Sequence, residues 1–202
     1  MPTSRPPTRR FTRDELESFR GREVPDLLPR GTGAAAPPVR LMFVGINPGL
    51  WTAATQTHFA HPGNRFYPAL LTAGILTRRI DPSAGMTDED RAQVLARGVG
   101  ITNLVRRATA RADELTAEEL REGAARLRAT VRRVRPDVVA VAGVTAYRAA
   151  FGVRRAAAGE QPGDLEGARL WVVPNPSGLN AHETVASLAV AYAEPARAAG
   201  VI

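Results

Sequence analysis

The chain has 202 residues, with 27 basic and 20 acidic side chains and a net charge of +7; every basic side chain is arginine, and lysine and cysteine are both absent. Without cysteine there is no disulfide, thiolate nucleophile, iron–sulfur cluster or Cys-ligated zinc, and without lysine no lysine Schiff base or Walker-A lysine. A GC-rich genome accounts for the arginine bias, but the chemical exclusions hold whatever its cause.

The length fits one domain of roughly 100–200 residues plus a tail. No apolar run approaches the ~18 residues of a membrane helix. The basic N-terminal stretch lacks the apolar core of a secretory signal, so a cytoplasmic chain is expected. The positive charge favours a polyanionic partner.

Residues 1–38 stand apart as a Pro/Arg-rich basic extension, with one short helix around residues 14–19 and the rest extended or disordered. A basic arm on nucleic acid and a plain tail are both open readings of it. From residue 39 strands and helices alternate. Residues 39–44 (VRLMFV) form a short apolar run ending at Gly45, a buried strand. Residues 64–73 read as helical. Thr87 opens a helix that Gly98 ends, with Asp88, Glu89 and Asp90 in its first turn complementing the helix dipole; an auxiliary catalytic carboxylate at Asp88 or Asp90 is the alternative. Residues 99–105 (VGITNLV) begin as a strand. Thr116 and Glu119 make a capping box, and Leu120, Leu127, Val131 and Val134 share one face of the helix that follows, to about Arg135. Residues 138–142 (VVAVA) and 170–173 (LWVV) are further strands, with a short helix after Gly143 and a last helix from about His182 to Ala198. Four strands separated by helices imply a mainly parallel sheet with helices on both faces.

In such a sheet, ligands bind beyond the carboxyl ends of the strands. Two loops of similar chemistry fall there: Gly45-Ile46-Asn47-Pro48-Gly49-Leu50 after the first strand and Asn175-Pro176-Ser177-Gly178-Leu179-Asn180 after the last. An Asn before Pro is held extended, so its amide is aimed. Each loop alone reads equally as a turn; the pair at corresponding strand ends points to a site. Neither fits a phosphate cradle, and His58, His61 and His182 have no zinc-ligand spacing. Between the loops, FAHPGNRFY places aromatics, a His and an Arg before a helix, as a base-stacking platform or as an aromatic core patch.

GINPGL, FAHPGNRFY, GITNLV and NPSGLN, in this order, resemble the mismatch-specific uracil/thymine-DNA glycosylases, one branch of the uracil-DNA glycosylase superfamily. The resemblance covers roughly residues 39–195, a catalytic domain over residues 39–202. It implies a three-layer α/β/α sandwich with a central, mainly parallel sheet, and hydrolysis of the N-glycosidic bond of a flipped uracil in G·U mismatched double-stranded DNA. The product is an abasic site, with no cofactor and no metal, made by a monomer at the bacterial nucleoid. By motif match Asn47 orients the attacking water; Ile46, Phe59 and Asn175 bind the base; Gly178, Leu179 and Asn180 form the wedge that enters the duplex and faces the orphaned guanine. An amide is no general base, so it works through its carbonyl oxygen. Asn103 and Ala181 stand where other members carry charged residues, and Trp51 is bulky for a pocket rim. Other lesions (ethenocytosine, hypoxanthine, xanthine, or thymine in G·T) and a non-catalytic DNA-binding protein are the competing readings.

Overall fold

The computed structural model describes residues 10–29 and 37–202. Five strands, β1 (Leu41–Gly45), β2 (Val99–Asn103), β3 (Val138–Ala142), β4 (Gly159–Leu165) and β5 (Ala168–Val173), form one sheet in the order β2-β1-β3-β5-β4. All pairings are parallel except β4 with β5. The central strands bury both faces, so alternate residues enter two separate cores. Leu41 and Phe43 of β1 face one core, with Val138 and Ala140 of β3 and Trp171 of β5. Met42, Val44, Val139, Val141 and Val172 face the other.

The first core is closed by α3 (Phe66–Thr72), α4 (Asp88–Ala96) and α7 (Val185–Ala198), through Phe66, Leu70, Val94, Leu188 and Tyr192. The second is closed by α5 (Ala117–Val134) and α6 (Val144–Phe151), through Leu120, Leu127, Val131 and Tyr147. The result is the expected α/β/α sandwich with a mostly parallel centre. The expected capping box of α5 is present: Thr116 Oγ1 accepts from Glu119 N, and the Glu119 carboxylate accepts from Thr116 N.

Two elements depart from the sequence reading. β4 (GEQPGDL) is an antiparallel edge strand; with one row of neighbours it needs no apolar run and tolerates Pro162. A short helix, α2 (Leu50–Thr55), begins directly at the end of GINPG, with Gly49 as an N-cap that offers no side-chain bond and thus no signature.

Residues 10–29 are also folded onto the sheet. They open with α1 (Arg13–Glu17), which Thr12 and Glu15 cap. Leu27 then exchanges two backbone hydrogen bonds of 2.9 Å with Ile101, covering the outer edge of β2. Val24 and Leu27 are buried. Gly21 N donates to Ala108 O and Ala108 N to Arg22 O, each at 2.9 Å. The remaining parts of the basic extension, residues 1–9 and 30–36, lie outside the described residues. Among the described residues no helix is long and apolar enough to cross a membrane.

Candidate active site

Because β1 runs between β2 and β3, the chain leaves it on one side and returns on the other, opening a crevice at the carboxyl ends of the strands. A cavity of about 770 Å³ occupies that crevice. Gly143, at the end of β3 with φ +115°, lets the loops above it converge: a Cβ there would lie 3.2 Å from Ile46 Cδ1 and 3.9 Å from Asn175 Cβ. Gly178 packs backbone to backbone on the segment before α3, where a Cβ would lie 2.6 Å from Gly63 O.

The orientation of Asn47 is fixed by chemistry. Its Nδ2 lies 2.7 Å from Thr109 Oγ1, 3.1 Å from Pro48 O and 3.2 Å from Arg107 O. The two carbonyls can only accept. Thr109 gives its own hydroxyl proton to Arg111 O at 2.7 Å, so toward Asn47 it accepts as well. Turning the amide over would set Oδ1 against three acceptors. Oδ1 is therefore the atom left for the cavity, and among the described residues nothing donates to it.

Asn175 is held the other way round. Its Oδ1 accepts from Ser177 N at 3.1 Å, which leaves Nδ2 without a protein partner among the described residues. The two loops thus line one cavity with amides of opposite polarity, an acceptor at Asn47 and a donor at Asn175.

Phe59 supplies an apolar wall. Its ring stacks on Phe66 with centroids 4.0 Å apart and planes 24° from parallel. Its backbone has φ +54°, a conformation costing about 1–3 kcal/mol for a bulky residue and met mostly at functional sites. Below it lies a polar pair. His58 is buried; its Nε2 is 3.0 Å from Pro25 O and its Nδ1 3.1 Å from Asn103 Nδ2. Burial pushes the His58 pKa below that of a free histidine, the Pro25 carbonyl and Asp26 opposing this in part.

The rim has two sides. On one, Leu179 is 89% exposed at the tip of its loop. Arg65 supports that loop, donating through Nη1 to Ser177 O (3.3 Å) and Asn180 O (3.0 Å). On the other, Phe11 meets Trp51 edge to face at 4.9 Å, and Leu16 of α1 lines the cavity. Trp51 is itself anchored by Nε1 donating to Ser83 O at 2.9 Å.

The carboxylates of α4 do not reach this cavity. Asp90 is buried and shares a capping box with Thr87, and Asp88 and Glu89 complete the acidic first turn, as the helix-dipole reading of these residues has it. The carboxylate that does line the cavity, Asp113, is gripped at the rim by Arg111 at 2.6 Å. Among the described residues no cluster of side chains is arranged to hold a metal ion.

The family model of the uracil DNA glycosylase superfamily matches residues 32–194. The chain belongs to that superfamily. The solution NMR structure of a candidate uracil DNA glycosylase from Methanosarcina acetivorans is similar in fold, with a TM-score of 0.54 and 14% sequence identity over 86% of this chain and 98% of that one.

Within the superfamily match, six of the residues singled out from sequence line the one cavity: Ile46, Asn47, Phe59, Asn175, Gly178 and Leu179. Asn180 does not; its Nδ2 donates to Asn175 O at 3.2 Å and its Oδ1 accepts from His182 N at 3.3 Å, so its side chain closes the loop from within. Asn103 and Trp51 also line the cavity. Sequence reasoning missed Thr109, Arg107 and the support given by Arg65. Thr109 and Arg107 sit in none of the motifs; Arg65 sits in FAHPGNRFY, which does not reveal its partners, and each of the three acts across a gap of sixty residues or more. Residues 10–29, which wall one side, lie outside the superfamily match.

Proposed function

We propose that the protein is a monofunctional uracil-DNA glycosylase that hydrolyses the N-glycosidic bond of a flipped uracil in G·U mismatched duplex DNA. The observation that carries this reading is the pair of amides of opposite polarity in an aromatic-walled cavity. Breaking an N-glycosidic bond sends the bonding electrons to the base and leaves a cationic sugar. An acceptor at Asn47 Oδ1 suits a water that attacks C1′ of that sugar, orienting its lone pair and holding one of its protons. A donor at Asn175 Nδ2 suits the oxygen of the departing base, where negative charge grows. The base would lie on the free face of Phe59, with Leu179 filling the gap it leaves in the duplex.

Asp113 is tied to Arg111, so the water meets no free carboxylate base in this arrangement. A path in which bond cleavage runs ahead of water attack fits that arrangement, at a modest rate. The chain has no lysine to form an imine with the sugar, which supports an intact strand at an abasic site as the product. Hypoxanthine and xanthine share with uracil a ring N–H beside a carbonyl, and the cavity volume supports them as further substrates.

Single-turnover incubation with a G·U duplex, followed by alkali, tests this. Wild type should yield strand breaks only after alkali. Asn47→Ala should lose on the order of 10²-fold in rate, the scale on which misplaced reacting groups act, while binding the duplex as before. A wild type that binds the duplex but leaves no abasic site would instead be a DNA-binding protein without catalysis.

A further inference from the structure

Hydrolysis as proposed gives the buried His58 no task, yet its surroundings determine its chemistry completely. A carbonyl only accepts, so the nitrogen 3.0 Å from Pro25 O, Nε2, carries a hydrogen. The ring is buried, which disfavours the imidazolium; Asp26 opposes that and Arg91 adds to it. A neutral ring with hydrogen on Nε2 has a lone pair on Nδ1. Asn103 must then approach Nδ1 with its NH₂ group, as it does at 3.1 Å. Its Oδ1 is turned away from the histidine and lies over Gly45, where a Cβ would sit 2.3 Å from Oδ1 and 3.2 Å from Phe59 Cζ. The missing side chain at Gly45 thus makes room for Asn103 and Phe59 together at the floor of the cavity. Among the described residues no donor reaches Asn103 Oδ1.

We propose that His58 is a positioning residue for specificity: by holding Asn103 through Nδ1, it makes the cavity offer a fixed hydrogen-bond acceptor beside the Phe59 ring, and so selects bases that carry a ring N–H at that edge. This rests on the glycosylase reading above. Uracil, hypoxanthine and xanthine have such an N–H. Cytosine has a lone pair there, and ethenocytosine a ring-fused nitrogen without hydrogen. An amide free to turn would serve either kind of base. Here, turning it would set Oδ1 against the Nδ1 lone pair and lose a hydrogen bond. The restraint comes from residues 10–29, since Pro25 is carried by the segment that Leu27 pins to Ile101 and that Gly21 and Arg22 pin to Ala108.

The test compares single-turnover excision of uracil and of ethenocytosine opposite guanine in wild type, His58→Phe, His58→Gln, Asn103→Ala and the His58→Phe/Asn103→Ala double variant. His58→Phe removes both hydrogen bonds. His58→Gln keeps a donor for Pro25 O, but its acceptor sits on a flexible stem instead of a planar ring and no longer fixes Asn103, so it reports even where the phenylalanine variant does not fold. In either variant uracil excision should fall about tenfold, the scale of one buried hydrogen bond, with ethenocytosine excision unchanged within about threefold. The double variant should be no slower on uracil than Asn103→Ala alone, because a residue acting through Asn103 has nothing left to position. A parallel loss on both lesions, additive losses in the double variant, or an unchanged uracil rate would overturn the role of His58 and leave the glycosylase reading standing. A wild type inactive on both lesions would overturn the two together.

Discussion

Asn47 is held by a residue that no motif names. Thr109 stands 62 positions away in the chain, accepts from Asn47 Nδ2 and passes its own proton to Arg111 O. The loop that carries it is fastened twice. Arg107 grips the Glu119 carboxylate at the start of α5 and holds it down to about 2, well below the usual carboxylate range. Gly21 and Arg22 bond Ala108 from the other side. Thr109→Val keeps the shape of the side chain and removes the oxygen. The amide then loses its shortest anchor, and Arg111 O its donor. Single-turnover excision should fall roughly tenfold, a buried hydrogen bond's worth, with duplex affinity unchanged. Thr109→Ser should restore most of the rate. Equal activity in the valine and wild-type proteins would show that the two backbone carbonyls alone suffice. The motif GINPGL made Asn47 legible in the sequence; which end of its amide faces the cavity was not, because three groups distant from one another or in the backbone decide it.

Among the elements, legibility followed burial. β1, β3 and the 170–173 part of β5 are short apolar runs because both of their faces are covered, and that pattern can be read without a structure; β2 (VGITN) shows it only at its start. β4 has one neighbour and polar residues, so its strand character comes from the hairpin with β5 and not from its own composition. In residues 10–29 two buried side chains, Val24 and Leu27, fall among prolines and arginines with no period to announce them. This segment, by composition an arm or a tail, therefore contributes a wall to the cavity through Leu16 and, by way of Phe11 on Trp51, to its rim. The loop after β5 is a further element whose design shows only in three dimensions. Its carbonyls at Ser177 and Asn180 are held by Arg65, and Asn180 ties the loop to itself. What this rigid turn presents is Leu179, exposed where an apolar side chain gains nothing from water. The wedge role proposed for Leu179 would account for that exposure. Leu179→Gly should slow uracil release from a G·U duplex about tenfold, because unstacking costs a few kcal/mol that the wedge offsets. It should leave release from single-stranded DNA, where no stack needs filling, at the wild-type rate. Equal losses on both substrates would remove the wedge and make Leu179 part of the base pocket.

At the scale of the whole molecule, the lysine-free composition fixes how the protein's charge responds to pH. All 27 basic side chains are guanidinium groups, which stay protonated at any pH a folded protein meets. There is no cysteine to ionise. The three tyrosines, Tyr67, Tyr147 and Tyr192, all have their pKa raised, chiefly by burial. From about pH 8 to about pH 10 the guanidinium charge stays constant, whereas a lysine, with a pKa near 10.4, would lose part of its charge across that range. Phosphate contacts release counterions, and the slope of log affinity against log salt counts them. If the arginine-rich surface grips the duplex, that slope for an undamaged duplex should be the same at about pH 8 and about pH 10, with affinity at any one salt concentration shifting less than about twofold. Fluorescence anisotropy over a salt series at the two pH values measures both. A slope that shrinks at the higher pH would mean that the grip depends on a titrating group and not on arginine, and an affinity with no salt dependence at either pH would place the binding outside phosphate recognition altogether.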